Sequence, residues 1–165
     1  MNFQIPIRYL PFSLSRKDTK QQKTLLDKSK RLYKKGKYFT RKQLSSFTSR
    51  PSKHIIRARK IYHVGQVSAN SKYSRATGCS INALQKIVKK GQGAYFSSGS
   101  RPNQTAQSWG FARLASSTTG GKSAAVDYSI LEQGCATKSP ALRMAKTARK
   151  KWGFGRGRTH HRRDL

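Results

Sequence analysis

Apolar residues recur three and four positions apart along several stretches of the chain, and each stretch predicts a helix. From Ser15, the residues Leu25, Leu26, Leu32 and Tyr33 line one side of a polar run that Gly36 stops. Ser15 with Asp18 three residues on is an N-cap signature, so this predicts a basic helix of roughly five turns. A short helix is expected from Thr40 to Phe47, and Pro51 opens another carrying Ile55, Ile56 and Tyr62. Ser80 caps a helix in which Ile81, Leu84, Ile87 and Val88 face one way, with Lys89, Lys90 and Gly91 closing it. The run 91–103 sets Tyr95 and Phe96 among Gly, Ser, Pro and Asn, which predicts a buried turn or loop with a strand-like aromatic piece. Helical spacing returns with Trp109, Ala112, Leu114 and Ala115, breaks at 118–121, and resumes with Val126, Ile130 and Leu131 until Gly134. Ser139 and Pro140 start a last helix bearing Leu142, Met144 and Ala145. Before all of these, residues 2–14 alternate apolar and polar around Pro6 and Pro11, which suits an extended arm laid on a neighbour, another chain being one candidate.

These elements make the expected fold mainly α with a small β or loop element. Charge then suggests how it is divided. The chain has 165 residues, with 36 Lys and Arg against five acids, a formal net charge of +31. Residues 1–60 carry 18 of the basic residues against Asp18 and Asp27; residues 61–135 carry eight against Asp127 and Glu132; residues 136–165 carry ten against Asp164. Gly, Ser and Ala concentrate in the middle stretch. The expectation is one small domain: a basic N-terminal arm with helices (1–60), a compact core (61–135), and a basic C-terminal helix and tail (136–165). The tail from Gly153 onward has no apolar face and is expected to be disordered unless bound.

So one-sided a charge repels itself, and phosphate is the natural counter-charge. Lys and Arg alternate with aromatics in 30–35, 37–42 and 150–158. Cations there neutralise phosphates, and an exposed ring can stack on an unpaired base. Tyr33, Tyr38, Phe39 and Trp152 are nevertheless taken first as core anchors, the cations binding under either reading. The residues assigned to nucleic acid or acidic surface are Lys34, Lys35, Lys37, Arg41 and Lys42 in the arm, and Arg149, Lys150, Lys151, Arg156, Arg158, Arg162 and Arg163 toward the C-terminus. Arg101, beside Pro102 and Asn103, is expected to bond loop carbonyls.

Enzymatic readings are poorer. The segment 116–123 approaches a phosphate-binding loop but has Ser116 where the first glycine belongs, and helix instead of strand is expected before it. The helix start after Gly120, Gly121, Lys122 and Ser123 can hold a lone phosphate at most. Ile61-Tyr62-His63 followed by Gly91-Gln92-Gly93-Ala94-Tyr95-Phe96 resembles ADP-ribosyltransferases. That resemblance implies His63 and Tyr95 on NAD with Glu132 as catalytic acid, although no glycine follows His63 and Glu132 falls in a helical pattern. Carboxylates are too few for paired-acid chemistry. His54, His160 and His161 add conditional charge, and no metal or cofactor is expected. Cys79 and Cys135 lack zinc-ligand spacing and are expected to be free thiols in a reducing compartment. Pro6, Arg8 and Pro11 interrupt the apolar N-terminus, against a signal peptide, and no run approaches the ~20 apolar residues of a membrane span.

The stretch 91–116, with its core Ser-Gly-Ser-Arg-Pro-Asn-Gln-Thr at 98–105, continues through 119–123, Val126-Asp127-Tyr128, Ile130-Leu131 and Gly134-Cys135. Together with the basic run 28–38 it resembles an uncharacterised domain encoded by large DNA viruses of algae and protists, over roughly residues 15–135. The resemblance implies a virion component, either a minor capsid protein or a genome-condensing one, and brings no activity with it. The expectation is therefore a structural, non-catalytic protein of the virion, present in host cytoplasm or nucleus during assembly. Its expected partners are viral DNA and capsid proteins of the same particle.

Overall fold

The computed structural model describes residues 4–153 and 162–163. Among them the chain is mainly α. There are eight helices: α1 (Arg16–Lys34), α2 (Lys53–Tyr62), α3 (Ser71–Thr77), α4 (Ile81–Ser97), α5 (Ala106–Thr118), α6 (Lys122–Val126), α7 (Tyr128–Gly134) and α8 (Pro140–Trp152), with short connections except for the long segment 35–52 between α1 and α2. Two short strands, β1 (Ile5–Pro6) and β2 (Arg162–Arg163), pair antiparallel, with Ile5 opposite Arg163. The described residues fall into two compact units, one of 4–50, 92–109 and 162–163, the other of 51–91 and 110–153. The first 50 residues are thus more than a basic arm. They have an apolar cluster of their own, so compactness does not follow the boundaries that charge suggested.

In the first unit, Ser15 caps α1 by accepting the Asp18 amide at 3.1 Å. Asp18 does not complete a capping box. It turns to Ser46, accepting its amide at 2.9 Å and its hydroxyl at 2.5 Å, and those bonds hold the carboxyl below the usual carboxylate range. Leu25 and Leu26 form the buried stripe of α1 and meet Ile5, Tyr9, Leu10, Leu14 and Leu44. Each such leucine contributes about 1.5–3 kcal/mol by leaving water. The opening segment is therefore anchored in its own chain: its β1 strand pairs with β2, and its apolar side chains enter this core. The helix expected over 40–47 is absent. Leu44 is buried all the same, with Phe39 and Phe47 packed against the cluster, and Asn103 supplies the bonds a helix would have made. Its Oδ1 accepts the Leu44 amide at 2.6 Å, and its Nδ2 donates to the Leu44 and Phe47 carbonyls at 3.2 and 2.9 Å.

The second unit is built around Leu84, Ile87, Leu114, Leu131, Tyr73 and Tyr62. Ser139 caps α8 as the pattern predicts, while α2, expected to open at Pro51, is capped by the next residue, Ser52. Helix α3 was not expected from the sequence; Asn70 caps it and Gly78 ends it. Helices α6 and α7 lie against α8. Tyr73 shares a 2.7 Å hydrogen bond with the Thr118 hydroxyl, and burial pushes its phenol up to about 12. Tyr62 donates to the Thr118 carbonyl, and burial raises its pKa as well.

Helix α4 does not stop at Gly91. It continues to Ser97, so the predicted loop over 91–97 is helical and Tyr95 is a buried helical residue. Gly91 serves helix packing: a Cβ there would lie 2.6 Å from the Gly110 Cα of α5, so two glycines let the backbones approach. The free-thiol expectation is also overturned. Cys79 and Cys135 form a disulfide across an isolated antiparallel bridge, flanked by Ser80 N–H to Gly134 O and Ala136 N–H to Gly78 O, each 2.8 Å.

Candidate nucleic-acid interface

The C-terminal end of α1 gathers cations and aromatic rings in one short stretch. Gly36, at φ +73°, takes the left-handed conformation that a side chain resists, and turns the chain out of the helix. Its amide bonds Tyr33 O and the Lys37 amide bonds Leu32 O, both at 2.9 Å, closing the helix end in a Schellman arrangement. Four residues further on, Arg41 is anchored in the interior. The segment 37–40 is therefore held at both ends, and Tyr38 within it is 75 % exposed. Tyr38 rests against Phe96 with centroids 5.2 Å apart and against Tyr33 at 6.1 Å; Tyr33 stacks on Phe96 at 6.0 Å with planes 11° apart. Lys34, Lys35 and Lys37 are exposed in the same stretch, as is Lys42. Basic side chains in the last turn of α1 also suit the negative end of its dipole.

Arg41 departs from its expected role. It is 6 % exposed. Its guanidinium donates to Ser29 Oγ at 2.9 Å, Tyr95 O at 2.8 Å and Ser100 Oγ at 2.7 Å, and lies 3.8 Å from the Tyr95 ring centroid. Its amide donates to the Tyr95 hydroxyl at 2.9 Å. Burial lowers its pKa, but from so high a starting value that the group stays charged. Arg41 is thus a structural cation: it is buried, and three of its N–H groups are already bonded within the protein. In the other unit, Arg149, Lys150 and Lys151 are exposed in the last turn of α8. Arg149 lies 4.6 Å from the Tyr128 ring centroid and Lys151 4.6 Å from that of Trp152. Arg156 and Arg158, with most of the tail, lie outside the described residues; Arg162 and Arg163 form β2. Arg101 is exposed at its loop.

Sequence reasoning missed two parts of this surface. It placed Phe96 in a turn and Tyr38 in the core, whereas the structure joins them in an open cluster. The available signal was the position of Tyr38 just beyond the Gly36 stop, off the apolar stripe. It also expected cationic outer faces on the first helices without assigning their residues to binding: on α1 Arg16, Lys17, Lys20, Lys23, Lys28 and Arg31 are exposed, and on α2 Lys53, Arg57, Arg59 and Lys60. Against these, the exposed carboxylates among the described residues are Asp27 and Glu132, because Asp18 and Asp127 are buried. No acid occurs between positions 27 and 127.

The features that suggested enzymes are arranged otherwise. Asp127 receives Arg113 at 2.8 and 3.0 Å, Ser117 at 2.8 Å and Lys90 at 2.9 Å. Burial works to raise its pKa, but Arg113, Lys90 and Ser117 outweigh that and keep it below the usual carboxylate range. The Ser123 hydroxyl lies 3.0 Å from that of Ser117, so the segment 116–123 is tied to this buried carboxylate, and Gly121 packs on Ser116. The Gly-x-Gly-x-Tyr-Phe turn is a helix instead, with Tyr95 wholly buried. His63 ends α2 in a left-handed conformation, and Glu132 is an exposed residue of α7. Among the described residues no three His, Cys, Asp or Glu side chains converge as metal ligands, and no helix is long and apolar enough to cross a membrane.

Residues 6–131 match the model of a family described as a family of unknown function, DUF5824. No curated protein matches the chain. No solved structure matches it either.

Proposed function

The chain belongs to the DUF5824 family of unknown function, and from its own surface we propose that it is a nucleic-acid-binding structural protein with no catalytic role. The observation that carries this reading is the near-absence of exposed acid beside so much exposed base. Of the Lys and Arg between residues 4 and 153, all but Lys30, Arg41 and Arg113 are exposed. A surface of one sign is neutralised by a polyanion that releases its own counterions on binding. Its phosphate contacts are Lys34, Lys35, Lys37 and Lys42 in one unit and Arg149, Lys150 and Lys151 in the other, with Arg156, Arg158, Arg162 and Arg163 of the C-terminal segment. No base-reading motif accompanies them, so binding is insensitive to sequence.

The context proposed is a virus particle, in which the protein bridges viral DNA and acidic coat surfaces. The likeness of 15–135 to a domain of large DNA viruses supports it, and so does the disulfide, which persists in particles outside the reducing cytosol. Titration of a labelled oligonucleotide across salt concentrations tests the binding. With six or more phosphates neutralised, affinity falls about 10³-fold or more between 50 and 200 mM salt. A flat salt dependence, or no binding at low salt, overturns the reading. Imaging of intact particles that locates this chain tests the context.

A further inference from the structure

The proposed phosphate binding does not say in what form the phosphate comes, and the ring cluster at the end of α1 bears on that. We infer that Tyr38, backed by Phe96 and Tyr33, is a stacking platform for an unpaired base, so that the preferred ligand is single-stranded nucleic acid. The inference rests on the proposed nucleic-acid binding and specifies its ligand. Three observations carry it. Tyr38 keeps 75 % of its surface exposed although two other rings lie beside it. Its position is fixed in advance, by the Gly36 and Lys37 amides on one side and by buried Arg41 on the other, so little ordering entropy is lost when a base lands on it. Lys34, Lys35 and Lys37 adjoin it in the chain, and each nucleotide of an unpaired strand offers a base face to a ring and a backbone phosphate to a cation. The bases of a duplex are stacked on one another and do not offer that face, whereas an unpaired strand does.

The test compares the full chain on single strands of about 15 nucleotides, DNA and RNA, with an abasic DNA strand of the same length and charge. Stacking adds affinity only where bases exist, so the normal strands bind about tenfold or more tighter than the abasic one. Tyr38→Ala removes that difference while leaving abasic binding and the salt slope unchanged, and Tyr38→Trp retains it. Tyr38 is exposed, so neither substitution disturbs folding; unchanged thermal unfolding checks this. Comparison of the DNA and RNA arms tells which strand is preferred. Equal binding of normal and abasic strands with the salt slope intact overturns the stacking platform and leaves phosphate binding standing. Failure of every strand to bind at low salt overturns both.

Discussion

Arg41 takes a full charge into the interior of its unit and makes no ion pair among the described residues. Such a charge is tolerated because three short charge-assisted hydrogen bonds and the face of Tyr95 replace its water. Removing it leaves Ser29, Ser100 and the Tyr95 carbonyl without their donor. Arg41→Ala is expected to cost roughly 2–4 kcal/mol in urea unfolding, and Arg41→Lys fails to restore it, because an ammonium cannot fork across three acceptors. The same substitutions leave the salt slope of nucleic-acid binding unmoved, which separates Arg41 from Lys34, Lys35 and Lys37. Residue type and neighbours made all four look alike in the sequence. Burial distinguishes them, and burial of Arg41 depends on Ser100 and Tyr95, more than 50 positions away.

At the scale of elements, caps were legible wherever the signal is local. Ser15, Ser80 and Ser139 each cap the helix predicted for them, since a cap depends on residues within three positions. Two errors came from reading glycine and apolar spacing without tertiary context. The 40–47 segment has apolar residues at helical spacing, but the side chain of Asn103 takes up its backbone groups. Gly91 looked like a stop, yet helix α4 passes through it because Gly110 needs the space. The sign of one substitution decides between these roles. Gly91→Ala inside a helix with room to spare gains about 1 kcal/mol. Here the methyl collides with the backbone of α5, so the variant is expected to lose about 1–3 kcal/mol, read as a lower denaturation midpoint.

For the whole molecule, Cys79 and Cys135 form a long-range covalent link, being 56 positions apart and joined where two backbone segments meet. Closing a loop of that length restricts the unfolded chain and stabilises the fold by about 2–4 kcal/mol. Reduction, or Cys79→Ser, is therefore expected to lower the thermal midpoint, with larger losses at low ionic strength where the +31 charge is least screened. Thermal unfolding with and without reductant, at two salt concentrations, checks both parts. The free-thiol expectation rested on having only two cysteines without metal spacing. Pairing is settled by which backbone segments the fold sets side by side, and that cannot be counted from the chain.

The one-sided charge, the mainly helical character and most helix starts follow from the sequence alone, because each depends on composition or on residues a few positions apart. The inward turn of Arg41, the exposure of Tyr38 on its two supporting rings, the continuation of α4 through Gly91 and the Cys79–Cys135 bond were decided only by the tertiary structure. Each of these depends on groups distant in the chain competing for the same space or the same hydrogen bond, and that competition exists only once the chain has folded.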